Sequence, residues 1–138
     1  MIAVRYFSQG GNTKKIAEAI AEGAGTTAVS VTDAPALTER ADVLFLGGAP
    51  YANIMAPALK AYAEALSPDK VGRAALFTTS NWSRRTVLAL KKQLKANGIA
   101  VEEEFFYAHR SHIDENLEAA RVFGNKYGKS RKSEEQIN

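Results

Sequence analysis

The stretch Phe7-Ser8-Gln9-Gly10-Gly11-Asn12-Thr13 lies between an apolar run, Ile2-Ala3-Val4-Arg5-Tyr6-Phe7, and a helical pattern with apolar Ile16, Ala17, Ile20, Ala21 and Ala24. Strand, hydroxyl- and glycine-rich turn, then helix is the arrangement that makes an anion site. Glycines let the backbone turn tightly enough for several N–H groups to converge on one oxyanion. The helix start adds unpaired N–H donors and the positive end of its dipole. Ser8, Asn12 and Thr13 can supply side-chain donors as well. Lys14 and Lys15 fall in the first helical turn, where cations oppose the dipole and a bound anion would offset that. The plainer reading of the same residues is a β–α turn with a Ser or Asn cap on its helix.

Beyond this stretch, strand-like apolar runs alternate with amphipathic ones, the pattern of a parallel α/β sheet. Strands are expected over Ile2–Phe7, Thr27–Val31, Asp42–Gly48, Arg73–Thr79 and Ile99–Tyr107. The near-continuous apolar run of the third fits a strand covered on both faces. Helices are expected from the Ser8–Thr13 turn to about Gly23 or Gly25, over Ala56–Leu66 with Pro57 in the first turn, from Arg85 to Ala96, and over Asp114–Tyr127. A brief, part-helical connection containing Pro35 is expected over Asp33–Arg40, and Glu102, Glu103 and Glu104 suggest an edge or end position. Arg5 sits inside an expected central strand and would have to lie at its start or snorkel to an edge. This makes one domain over residues 1–128, followed by a polar C-terminal tail over 129–138. Right-handed crossovers then give a three-layer α/β/α sandwich. Ligands in such sheets bind beyond the carboxyl ends of the strands, where strand order reverses. The loops Ser8–Thr13, Ala49–Met55 and Thr78–Arg85 would meet there.

Composition removes several alternatives. The chain has 138 residues and no cysteine, which excludes disulfides, thiolate metal sites and cysteine nucleophiles together. Its net charge of +3 comes from basic residues spread along the chain, not from a dense stripe, so nucleic acid is not an expected partner. No apolar run reaches the length of a membrane span and no basic leader with an apolar core precedes Ile2, so a cytoplasmic location with no membrane partner is expected. His109 and His112 have no third ligand nearby and make a poor metal site, so neither a metal nor a catalytic residue is assigned. There is no G-x-S-x-G elbow and no G-x-G-x-x-G turn. Ser8-Gln9 and Gly47-Gly48 stand where a receiver domain needs acids.

From Ile2 to about Tyr127 the chain resembles the flavodoxin family. The family's phosphate loop runs hydroxyl residue, variable residue, Thr or another small residue, then Gly-Asn-Thr, and Ser8-Gln9-Gly10-Gly11-Asn12-Thr13 matches at all but the third position. Asp42-Val43-Leu44-Phe45-Leu46-Gly47-Gly48-Ala49-Pro50-Tyr51 follows at the family's spacing. The resemblance implies a five-stranded parallel sheet in order 2-1-3-4-5 and one non-covalently bound FMN. Its phosphate would lie against Ser8, Gln9, Gly10, Gly11, Asn12 and Thr13. Its isoalloxazine would lie between Ala49, Pro50, Tyr51, Ala52, Asn53 and Ile54 on one side and Thr78, Thr79, Ser80, Asn81 and Trp82 on the other. The alternative for Tyr51 is packing on its own helix, and for Trp82 capping of the sheet.

The chain departs from the family in two places. Many short flavodoxins have a glycine beside the flavin N5, where this chain has Ala52-Asn53. Carrier flavodoxins are acidic around the flavin, whereas this chain is basic and places Arg84 and Arg85 in the fourth-strand loop. Cations there would raise the flavin's potential unless they point into solvent.

The short loops favour an FMN electron carrier exchanging electrons with redox partner proteins, acidic ones if the rim is basic. The alternatives are an FMN-dependent oxidoreductase acting on a quinone, a tetrapyrrole or a nicotinamide, and a flavin-free interaction module.

Overall fold

The computed structural model describes residues 1–34, 36–51 and 54–128. Pro35, Ala52, Asn53 and the tail expected over 129–138 therefore lie outside the described residues. In chain order the elements are β1 (Ile2–Phe7), α1 (Asn12–Ala24), β2 (Ala28–Ser30), β3 (Ala41–Gly48), β4 (Pro50–Tyr51), β5 (Ile54–Met55), α2 (Pro57–Glu64), β6 (Val71–Ser80), α3 (Arg85–Ala96), β7 (Ala100–Val101), β8 (Phe106–His109), a 3₁₀ turn (Asp114–Asn116) and α4 (Leu117–Tyr127). No helix among the described residues is long and apolar enough to cross a membrane.

The main sheet is parallel and runs β2-β1-β3-β6, with β7 and β8 both on the outer edge of β6. This is the expected order 2-1-3-4-5 with the fifth strand broken in two. The break falls on the glutamates. The Glu102 N–H still donates to the Ala74 carbonyl at 2.8 Å, and then the chain leaves the ladder. Glu102 pairs with Arg73 of β6, Glu103 with Lys91 and Lys95 of α3, and Glu104 with Lys126 near the end of α4. Three successive carboxylates cannot alternate between two buried faces, so the strand resumes only at Phe106.

Helices cover both faces of the sheet. Val4, Phe45, Phe77, Ile16, Ile20 and Phe123 fill the layer under α1 and α4. Leu44, Leu46, Leu76, Leu59, Leu90 and Leu94 fill the layer under α2 and α3. α1 runs through Gly23 and stops at Gly25, whose φ of 76° is the left-handed helix end. Gly23 serves a different purpose. A Cβ there would run into the backbone carbonyl of Arg121, and one on Gly124 into that of Ile20. These two glycines let α1 and α4 cross backbone to backbone.

The connection between β2 and β3 is a correction. Its described residues form turns and bends, not a part-helical segment. Arg5 is explained by the same feature. It sits mid-strand, paired with Val29 and Leu46, on the same face of β1 as Ala3 and Phe7. With no helix over β2 on that side among the described residues, its side chain is only half buried. Its Nη1 donates to the Val4 carbonyl at 3.0 Å, while Nε is buried without a partner. Across from it, burial raises the Tyr62 phenol above its ordinary value of 10.0, and the Arg5 cation opposes this. No contact of the Tyr62 hydroxyl has hydrogen-bond geometry among the described residues, so burial governs.

Two outcomes follow from this packing. Gly124→Ala should cost about 1–3 kcal/mol, because overpacked backbone must shift; a denaturant midpoint equal to the parent's would refute the close crossing. The second concerns alkaline pH. With the folded pKa of Tyr62 above the unfolded 10.0, its contribution is complete below that pH and is lost as pH rises through the folded value. Tyr62→Phe should therefore lose less thermal stability than the parent between about pH 9 and 11. Parallel melting curves would count against a buried phenol.

Candidate functional site

The carboxyl ends of β1, β3 and β6 open into one cleft of about 410 Å³. Its floor begins at the turn after β1. Gly11 has φ 88° and ψ −10°, a left-handed conformation that costs an L-residue with a Cβ. Its N–H donates to Ser8 Oγ at 3.1 Å, closing the turn. The first helical bond runs from Lys15 N–H to the Gly11 carbonyl at 3.1 Å. No side chain caps α1 and no acid stands in its first turn, which corrects the plainer reading of a Ser or Asn cap. Ser8 is engaged with Gly11 instead, and as an acceptor it keeps its own hydrogen free to donate. The N–H groups of the first helical turn, which no earlier carbonyl of the helix can reach, have no side chain over them. Lys14 is exposed, and Lys15 reaches Asp114 at 3.7 Å.

The β6 wall is tied to this turn. Thr13 Oγ1 and Thr79 Oγ1 lie 2.7 Å apart, both buried and both lining the cleft. Two hydroxyls carry two hydrogens, and their mutual bond uses one. Neither makes another side-chain bond among the described residues, so the pair keeps one donor for a ligand. Thr78 faces the other way. Its hydroxyl donates to the Gly48 carbonyl at 2.6 Å and locks β6 to β3, and it does not line the cleft.

The remaining expected residues divide as follows. Ser8, Gln9, Gly10 and Asn12 line the cleft on the α1 side, Ala49, Pro50 and Tyr51 on the β3 side, and Ser80 and Asn81 at the end of β6. Gly11 shapes the turn from outside the lining. Ile54 pairs with Tyr51 in a two-stranded antiparallel ladder, β4 with β5, and is exposed outside the lining. Ala52 and Asn53 fall outside the described residues, so the departure at the N5 position does too.

Trp82 neither lines the cleft nor caps the sheet. It is 79% exposed at φ 73°, and its ring meets His109 edge-on at 4.8 Å. Tyr107 holds it there: the phenol oxygen accepts the Trp82 N–H at 2.8 Å and donates to the Ser80 carbonyl at 3.1 Å.

Three lining residues were not assigned to the cofactor: Phe7, Ser83, which falls within the expected loop Thr78–Arg85, and Arg110. Phe7 is the last residue of β1, one position before the expected loop. Arg110 enters because β8 continues to His109, in register with Ser80, and the Arg110 N–H donates to the Ser80 carbonyl at 3.0 Å. The loop after the fifth strand therefore belongs with the other three. Arg84 and Arg85 do not line the cleft. The Arg84 guanidinium lies over the rings of Phe105 and Tyr107, at 5.9 and 5.8 Å, and Arg85 is exposed at the start of α3. The cation on the cleft wall is Arg110. His109 Nδ1 accepts the Ser111 N–H at 3.1 Å, and His112 Nδ1 lies 2.8 Å from Glu115. Among the described residues no cluster of metal-ligating side chains forms.

No protein-family model matches the sequence, and no curated protein matches it significantly. Solved structures do match in fold. The flavodiiron protein of Giardia intestinalis is 23% identical, with a TM-score of 0.78 over 96% of this chain and 36% of its own. The chain thus spans about a third of that larger protein. A flavodoxin, WrbA-like protein of Agrobacterium tumefaciens is 25% identical, with a TM-score of 0.74 over 91% of this chain and 94% of its own. Flavodoxin 1 of Bacillus cereus is 22% identical, with a TM-score of 0.74 over 92% of this chain and 97% of its own. In sheet order, in its helical layers and in likeness to these structures, the chain has a flavodoxin-like α/β fold.

Proposed function

We propose that the chain binds FMN in this cleft and carries electrons between redox partner proteins. The observation that carries this reading is the meeting of an uncapped helix start with the Thr13–Thr79 hydroxyl pair on one cleft wall. A phosphate monoester requires several converging donors and no carboxylate beside them, and α1 has no acid in its first turn. Ser8, Gln9, Gly10, Asn12 and Thr13 would hold the phosphate, with Gly11 setting the turn. Thr79 would reach it from β6. A flat ring system requires apolar or aromatic walls, and Pro50 and Tyr51 stand across the cleft from Ser80 and Asn81. Tyr51 is 52% exposed, so a ring against it would cover apolar surface that water now meets. The cleft's 410 Å³ falls within the range of roughly 300–1,000 Å³ usual for cofactor sites.

FMN, when bound, supplies one- and two-electron chemistry, and the chain's part is to hold it, orient it and set the charge around it. Arg110 on the cleft wall favours gain of negative charge there and would raise the potential. The likeness in fold to structures titled as flavodoxins supports flavin binding. The connection after β3, which closes into a two-residue-by-two-residue ladder instead of a long substrate loop, favours a carrier over a reductase. The exposed arginines at the rim suit acidic partners.

Adding FMN to the purified protein should give saturable binding and a perturbed flavin spectrum. Thr79→Val should weaken it about tenfold, or ~1.4 kcal/mol, by stranding the Thr13 hydroxyl and removing a donor, while Thr79→Ser retains most of the affinity. Failure to bind FMN would leave the flavin-free module as the better reading.

A further inference from the structure

We infer that the rim of the cleft is a docking face for an acidic protein, centred on Trp82 and ringed by Arg84, Arg85 and Arg110. The inference deepens the carrier reading by naming the partner's surface chemistry. Its first support is the way Trp82 is displayed. It is the one non-glycine residue with positive φ among the described residues, at 73°, and such a backbone persists only where its surroundings impose it. Here Tyr107 imposes it, anchoring the Trp82 N–H at 2.8 Å while itself held on Ser80. His109 then supports one edge of the indole. The result of that strain is an indole held 79% exposed.

The second support is the apolar surface around it. Tyr51 at 52% and Ile54 at 59% exposure stand on the ladder across the cleft, and Leu88 at 58% is one turn into α3. Large exposed apolar groups beside arginines, with tryptophan and tyrosine among them, have the make-up of an interface centre.

The third is charge. Lys14, Arg84, Arg85 and Arg110 have no carboxylate partner among the described residues. At the same end of the sheet Asp114 is taken up by Lys15 and Glu115 by His112, leaving Asp33, just past β2, as an acid without an ion pair. Elsewhere Lys91, Lys95, Arg121 and Lys126 are each matched with glutamates. Arg5, Lys60, Lys70 and Lys92, which make no ion pair among the described residues, are balanced in number by Glu18, Glu39, Glu64 and Asp69, which make none either. Positive charge without compensation thus collects where the apolar groups are exposed. The guanidinium of Arg84, an exposed residue, lies 5.9 and 5.8 Å from the Phe105 and Tyr107 ring centroids, a cation–π contact that leaves its charge without a carboxylate partner among the described residues. An apolar centre around a cleft, ringed by a few arginines, fits a carboxylate-bearing protein face better than the extended basic stripe that nucleic acid needs.

The test is calorimetric binding, with and without FMN, of two probes: a plant-type [2Fe–2S] ferredoxin, which is acidic, and mitochondrial cytochrome c, which is basic. The ferredoxin should bind at low salt and lose about tenfold in affinity or more as salt is raised to roughly 0.3 M, whereas cytochrome c should not bind. The indole N–H resonance of Trp82, the sole tryptophan, should shift on binding. Arg85→Glu should weaken the complex about tenfold, while Lys70→Glu, the same charge change at the opposite end of β6, should leave it within about twofold. Equal loss in both variants, absence of ferredoxin binding, or tighter binding of a single-stranded oligonucleotide or of anionic vesicles would overturn the proposal. Docking that persists when FMN does not bind would count against the flavin reading and not against this one.

Discussion

A buried hydrogen bond between Thr13 and Thr79 joins the first turn of α1 to the end of β6. The cleft depends on it. α1 is packed under β1 and β3 through Ile16 and Ile20, and the threonine pair ties its first turn to the end of β6. It also explains why two β-branched hydroxyl residues are buried at positions where valine would pack equally well. An unsatisfied buried hydroxyl is costly, and each threonine gives the other a partner, with one hydrogen of the pair left to donate.

The opposite wall is organised by Tyr107. Its phenol links the Ser80 carbonyl to the Trp82 N–H, and the Arg110 N–H reaches the same carbonyl. The loop after β6 is therefore held by the strand beyond it, and the break between β7 and β8 matters for the site. Where the glutamates take the chain out of the ladder, Arg73, Lys91, Lys95 and Lys126 draw them outward. The strand returns in register with β6 and continues to His109, bringing Arg110 to the cleft.

Much of this was legible in the residue order, for reasons that can be named. Ser8–Thr13 reads as a tight strand-to-helix turn from its double glycine, and Gly11 takes the left-handed conformation that only glycine adopts without cost. Asp42–Gly48 reads as a central strand from its continuous apolar run, and it is paired on both sides. Other features depend on tertiary context. Whether α1 is capped depends on where Ser8 points, and local pattern does not determine that. Trp82 reads as a ring-binding wall by position, but Tyr107, twenty-five residues away, turns it outward. Arg5 reads as an error in a central strand until the described residues of the connection after β2 are found to form turns and bends and no helix. Arg84 and Arg85 read as loop cations either beside the ring or in solvent; Arg84 lies over Phe105 and Tyr107, neither lines the cleft, and Arg110 is the cation on the wall.

The most direct test compares FMN with riboflavin, which lacks only the phosphate, as ligands of the same protein preparation. If the uncapped start of α1 and the threonine pair form the anion site, FMN should bind about 100-fold more tightly or better. That is the effect of two charge-assisted hydrogen bonds at roughly 1.5 kcal/mol each. Equal affinity for the two would contradict it and leave the Ser8–Thr13 turn a structural one.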